Sequence, residues 1–121
     1  MRHRLRWATI ARRTSLRPQH LELLRRLALN DREALATALD GFDQSGDALI
    51  DDRTKSLVRL AGLVALDCGT ASLQAGVDHA RSFGVDDDEI LDVVMVIAPI
   101  VGTSRLGSVL PRLAMVIEDD S

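Results

Sequence analysis

Residues 86–101 constrain this chain more than any other stretch. Four acids, Asp86, Asp87, Asp88 and Glu89, open it, and after Asp92 the run Val93, Val94, Met95, Val96, Ile97 and Ala98 has no polar residue. Negative charge is favoured at the positive end of a helix dipole, and Asp86-x-x-Glu89 has the form of a capping box. The sequence therefore predicts a helix from Glu89 to about Val101. A helix that is apolar on every side has to be buried on every side. A 121-residue monomer supplies that much cover with difficulty, so a homo-oligomer is expected. The acids themselves read as a cap and not as a metal site, because four consecutive side chains on a helix cannot all face one ion.

The rest of the core follows from composition and spacing. Hydrophobic residues are 46% of the chain, yet aromatics are 2% and tyrosine is absent. A core of Leu, Val, Ile and Ala favours closely packed helices, and Ala and Leu are strong helix formers. Pro18 suits the first turn of a helix that carries Leu21, Leu24, Leu27 and Ala28 on one face. Asn30 is a candidate N-cap for a second helix, with Glu33 three residues on; Ala34, Leu35, Ala38 and Leu39 follow before Gly41. Residues 42–50 read as a loop. Asp51 or Asp52 then starts a helix with Leu57, Leu60, Ala61, Val64 and Ala65 at helical spacing. After a break at residues 67–70, a helix is expected over residues 71–83, with Gly84 as a left-handed C-cap and Val85 folded back on it. Gly102 and Thr103 break the chain before a last helix to about Ile117. Pro99 and Pro111 fall inside apolar helical patterns and are expected to kink them. No strand-like alternation occurs. The expected fold is an all-α, single-domain bundle of about six helices over residues 18–121. Within it, residues 18–48 form an N-terminal helical pair and residues 49–118 the main core.

Residues 1–17 read as a separate basic arm whose large apolar anchors are Leu5, Trp7, Ile10 and Leu16. Residues 1–20 hold six Arg and no acid, which leaves nine basic and 18 acidic residues in the rest. An acidic body argues against a nucleic-acid-binding surface on the domain. A single cysteine, Cys68, leaves no intramolecular disulfide, no dithiol couple and no Cys-rich zinc site. No apolar run reaches the 18 or so residues of a membrane span. No apolar segment of signal-peptide length follows the arginines. A cytoplasmic location is expected, and no cofactor or metal motif is found.

Several strings share an order and spacing. They are Asp51-Asp52-Arg53-Thr54-Lys55 with Leu57-Val58-Arg59-Leu60-Ala61, then His79-Ala80, Gly84-Val85-Asp86 and Asp88-Glu89-Ile90, and finally Ala98-Pro99 with Val101-Gly102. Together they resemble the "D-x-R-T-x-x-L-x-x-L-A" helix, the "G-[VA]-[TSD]-x-[ED]-E-I" turn and helix start, and the "A-P-x-x-G" helix end of the carboxymuconolactone decarboxylase and alkylhydroperoxidase-D-like superfamily. The resemblance covers somewhat over half the chain and implies that family's helical fold and its assembly as dimers, trimers or hexamers. In the peroxidase-like branch, a Glu on the first helix precedes Cys-x-x-Cys-x-x-x-His. One thiolate attacks peroxide, the second resolves the sulfenic acid, and Glu and His move protons. Counted forward from Arg53-Thr54, Ser56 falls in the Glu slot, Cys68 and Ala71 in the Cys slots and Ala75 in the His slot. Counted back from Gly84, the Cys and His slots hold Gly69, Ser72 and Gly76. Neither register supplies a second thiol or the histidine. The decarboxylase branch places its proton-transfer histidine in the same helical region.

Three readings follow. The first is an oligomeric protein without the family's redox chemistry, which binds a partner or a small apolar or acidic molecule in a pocket near Ser56, Cys68, Ser72, Gly76 and Arg105. The second is an enzyme with relocated chemistry, with Cys68 as a one-cysteine peroxidase or His79 as an acid–base group. The third is a module tethered to nucleic acid or an anionic membrane by its basic arm. Cys68 and His79 on one continuous helix would stand about 16 Å apart, beyond hydrogen-bond reach. Cys68 is therefore expected to be a small buried apolar residue. Arg59 and Arg105 either line a pocket or pair with acids between helices, and the pairing is the expectation.

Overall fold

A computed structural model describes residues 6–39 and 49–119. Among these residues all regular structure is helical: α1 (Trp7–Arg13), α2 (Pro18–Ala28), α3 (Arg32–Leu39), α4 (Asp52–Ala65), α5 (Thr70–Ser82), α6 (Asp87–Val101) and α7 (Thr103–Asp119). The expected all-α bundle is found, with one helix more than the six read from the pattern. The extra one is α1, in a stretch whose apolar spacing carries little helical signal. Most of the loop expected at residues 42–50 lies outside the described residues.

Two compact units divide the chain, Met1–Asp47 and Ala48–Ser121. In the first, α2 packs against α3. Pro18 is at the start of α2 as expected. The junction to α3 differs from the sequence reading. Asn30 takes a left-handed conformation (φ 58°) and ends α2, with its N–H donating to the carbonyl of Leu27 and that of Asp31 to the carbonyl of Arg26. This is a Schellman closure, which asparagine tolerates. The cap of α3 is Asp31, whose carboxylate accepts from the N–H of Ala34 at 3.0 Å and from Arg26 at 3.0 Å. Two adjacent polar residues share the junction, and the one forced to positive φ cannot also be the extended N-cap.

In the second unit α4 packs against α5 and α6, and α7 packs against α4, α5 and α6. The buried centre comes from all four helices: Leu60 and Val64, Leu73, Val77 and Ala80, Ile90 and Val94, and Val109, Leu113 and Val116. Each set recurs at helical spacing, and among the described residues no aromatic takes part. The ends are fixed locally. Asp51 caps α4 by accepting from the N–H of Thr54 at 2.7 Å. Asp86 and Glu89 form the expected capping box on α6. Gly84 has φ +82° beyond the end of α5, and Val85 turns back with its N–H on the carbonyl of Ala80 and its side chain buried. Gly102 (φ +86°) separates α6 from α7, a conformation that strains any residue with a Cβ. Pro99 and Pro111 both lie within continuous helices.

The turn from α4 to α5 is tied to α7. Asp67 adopts φ 54°, its N–H and that of Cys68 close a Schellman motif on Val64 and Leu63, and its carboxylate accepts from Ser108 and Arg112. A second ion pair, Arg53 with Glu89, joins the first turn of α4 to the first turn of α6. The family-like strings around Arg53-Thr54 and Asp88-Glu89-Ile90 are thus two halves of one contact. Arg53, and then the N–H of Asp86, hold the Glu89 carboxyl below its ordinary value. A lowered folded pKa stabilises the fold above the unfolded value, about 4.3, and that contribution is lost as pH falls through the folded value. Thermal melts from pH 7 to 3 are expected to show a smaller acid-side loss for Glu89→Gln than for the unaltered chain. Equal acid limbs would mean that the pair contributes nothing.

Candidate functional site

Arg59 and Leu63 lie one turn apart on α4, and Ser72, Ala75, Gly76 and His79 follow i, i+3, i+4, i+7 along one face of α5. Where these faces meet they line a cleft of about 410 Å³. Among the described residues its lining contains two basic side chains, one hydroxyl and three apolar residues, with no acid and no thiol. Arg59 Nη1 stands 3.4 Å from His79 Nε2 across the helix pair. The His79 ring also meets Phe83 edge-on, with centroids 5.1 Å apart and planes at 81°. The missing side chain of Gly76 lets Leu63 approach, since a Cβ there would stand 2.5 Å from a Leu63 methyl.

The sequence-derived site residues fall in different places. Ser72, Gly76 and His79 share the cleft, as does Ala75 from the alternative register. Ser56 is buried on the stripe that continues through Leu60 and Val64, and its hydroxyl donates to the carbonyl of Arg53 at 2.6 Å. Cys68 is half-buried in the turn before α5. Ten residues of rise along α5 separate that turn from His79, roughly 15 Å. The break at Gly69 therefore leaves thiol and imidazole at opposite ends of the helix. Arg105 belongs to α7 and donates to the carbonyl of Ala65 at 3.0 Å. That carbonyl lies in the last turn of α4, and among the described residues it replaces the acid expected as partner.

The sequence leaves Arg59 between lining a pocket and pairing with an acid, with the pair as the expectation; Arg59 is in the cleft wall. The signal was available in its i, i+4 spacing from Leu63, but it means a shared site only once α4 lies against α5. The acidic run before α6 is engaged elsewhere: Asp86 and Glu89 in the cap, Glu89 also with Arg53, and Asp87 with Arg81 at 2.6 Å.

A second concavity, about 320 Å³, runs between α4 and α6 and is lined by Leu57, Val58, Ala61, Val93, Val96 and Ile97, with Glu89 and Asp92 at its edge. Beside it α6 exposes Met95 (64%), Val96 (74%) and Ile100 (84%). Among the described residues no helix is long and apolar enough to cross a membrane.

The packing of α4 to α7, with capped starts on α4 and α6 and a cleft between α4 and α5, defines a small all-helical domain. A family model described as "Carboxymuconolactone decarboxylase family" matches residues 33–114. The match spans more than half of the chain, and the chain belongs to that family. It begins within α3, earlier than the motif strings alone suggest. Comparisons with curated proteins and with solved structures gave no match.

Proposed function

We propose that this carboxymuconolactone decarboxylase family member is an oligomeric small-molecule-binding protein that does not carry out the family's dithiol chemistry. One observation carries the reading. The positions that the resemblance assigns to two thiols and a histidine hold, in one register, Gly69, Ser72 and Gly76, and in the other Cys68, Ala71 and Ala75. A dithiol cycle needs a resolving thiol beside the attacking one, and the chain has one cysteine. Ser72, Ala75 and Gly76 leave a cleft where reactive groups would stand, and its volume lies within the 300–1,000 Å³ common for ligand sites. Assembly through α6 is part of the same reading, supported by its exposed Met95, Val96 and Ile100.

Filling the cleft tests it. Ala75 is exposed and faces the cleft, so Ala75→Phe can occupy that space without entering the core. With benzoate and benzamide as probes, ring resonances of labelled His79 are expected to shift saturably in the unaltered protein. In Ala75→Phe the apparent affinity should fall at least about tenfold, a loss of 1.4 kcal/mol. Unchanged binding in that variant would place the probes elsewhere.

A further inference from the structure

We infer that the apolar groove between α4 and α6 receives the basic arm of a second copy of this chain, with Trp7 and Ile10 of that copy's α1 on the groove floor and its arginines facing Glu89 and Asp92. The inference rests on the assembly through α6 proposed above and names what covers that helix. The floor consists of Leu57, Val58 and Ala61 of α4 and Val93, Val96 and Ile97 of α6. Val58 and Val96 are exposed, and the rest are half-buried. A contiguous apolar surface of this kind marks an interaction site. A hollow bounded by two helices suits a third helix laid along it, anchored by residues at i, i+3 and i+4.

The charge around the groove narrows the occupant. Its polar lining is Glu89 and Asp92, one turn apart on α6, and among the described residues no basic side chain contributes to it. Glu89 is engaged with Arg53, whereas Asp92 is exposed at the rim. The complementary segment is residues 1–17, which hold six Arg and no acid. Within it α1 carries Trp7, Ile10 and Ala11 at i, i+3 and i+4, one face of a helix, and ends on Arg12 and Arg13. None of its residues is buried. A helix of seven residues is too short to persist on its own hydrogen bonds, so packing against another surface is what stabilises it. Trp and Arg are enriched among the residues that dominate binding energy at interfaces, and the arm supplies both. Reciprocal exchange of arms fills both grooves and closes a two-fold dimer.

Trp7 is the one tryptophan of the chain, so its fluorescence reports on the arm directly. The full-length protein is diluted through dissociation and followed by sedimentation equilibrium and tryptophan emission. The expected result is a shift of emission to longer wavelength that tracks dissociation. Trp7→Ala with Ile10→Ala damages the arm, and Val96→Asp damages the groove. Each alone should raise the Kd of assembly at least about tenfold and retain helical circular dichroism. Mixed in equal amounts, the two variants should associate more tightly than either alone, because one intact arm then meets one intact groove. The Trp7 emission of the Val96→Asp chain should move to shorter wavelength in that mixture. Asp92→Arg should weaken assembly, and Arg13→Glu added to the same chain should recover part of the loss.

An unaltered protein that does not assemble would overturn this inference and the assembly through α6 together. Assembly that the arm variant leaves unchanged would overturn this inference alone and give the groove to a different occupant. A mixture no tighter than its components would overturn the exchange between copies.

Discussion

Val96→Asp combined with Ile100→Asp is expected to convert an assembly into single 13.2 kDa chains, as read by sedimentation equilibrium. Both side chains are among the most exposed large apolar groups on the molecule, so the carboxylates meet water in the isolated chain and leave its core intact. In an assembly that covers α6, the same carboxylates would be desolvated without partners. Burying an unpaired charge costs several kcal/mol, so a rise in Kd of at least about 100-fold (2.7 kcal/mol) is expected. Helical circular dichroism should not change. A wild-type chain that sediments at 13.2 kDa through the micromolar range would remove the oligomer from the proposal. The exposed face of α6 would then need another explanation.

Leu60→Ala carries the second large expected effect, this time on stability. Leu60 is fully buried among side chains of the four-helix unit. It sits on α4, the helix that packs against α5, α6 and α7. Truncation removes three carbons from the centre and leaves a cavity whose neighbours come from rigid helices, and such replacements cost about 2–5 kcal/mol. In a small domain that is a large share of the total. Val58→Ala, two residues away in sequence but exposed, is the matched control and should change stability by no more than about 0.5 kcal/mol. Denaturant unfolding of both variants distinguishes a core at Leu60 from a merely apolar helix. Similar small losses for the two would contradict the packing described for this unit.

Much of the fold was legible because its signals are local. Asp51 and the Asp86/Glu89 pair announce helix starts through chemistry confined to four residues, and Gly84 and Gly102 mark ends through a backbone conformation most other residues avoid. The buried stripes of α4 to α7 were readable from spacing alone. Signals failed where two neighbours compete or where no periodicity exists. Asn30 and Asp31 both suit a cap, and only the path of the chain gives Asn30 the left-handed position. The α1 segment, Trp7–Arg13, offers a few apolar anchors among arginines and no stripe.

The candidate site was less legible, because its defining contact joins residues 20 positions apart. Nothing in the spacing of Arg59 and His79 places Nη1 against Nε2; that requires the packing of α4 on α5. Ser56 shows the opposite difficulty. It fills a slot that the resemblance connects with chemistry, but its side chain turns to the backbone of its own helix and is buried. The missing second thiol, by contrast, is plain in the sequence.

Peroxide consumption with dithiothreitol as external reductant, compared between the unaltered protein and Cys68→Ala, tests the central claim most directly. Cys68 is the one thiol in the chain, so any thiol-based turnover within it has to pass through that residue. The expected result is the same rate for both proteins, equal to the rate of dithiothreitol alone. Catalytic turnover that Cys68→Ala abolishes would contradict the claim and make the protein a one-cysteine peroxidase.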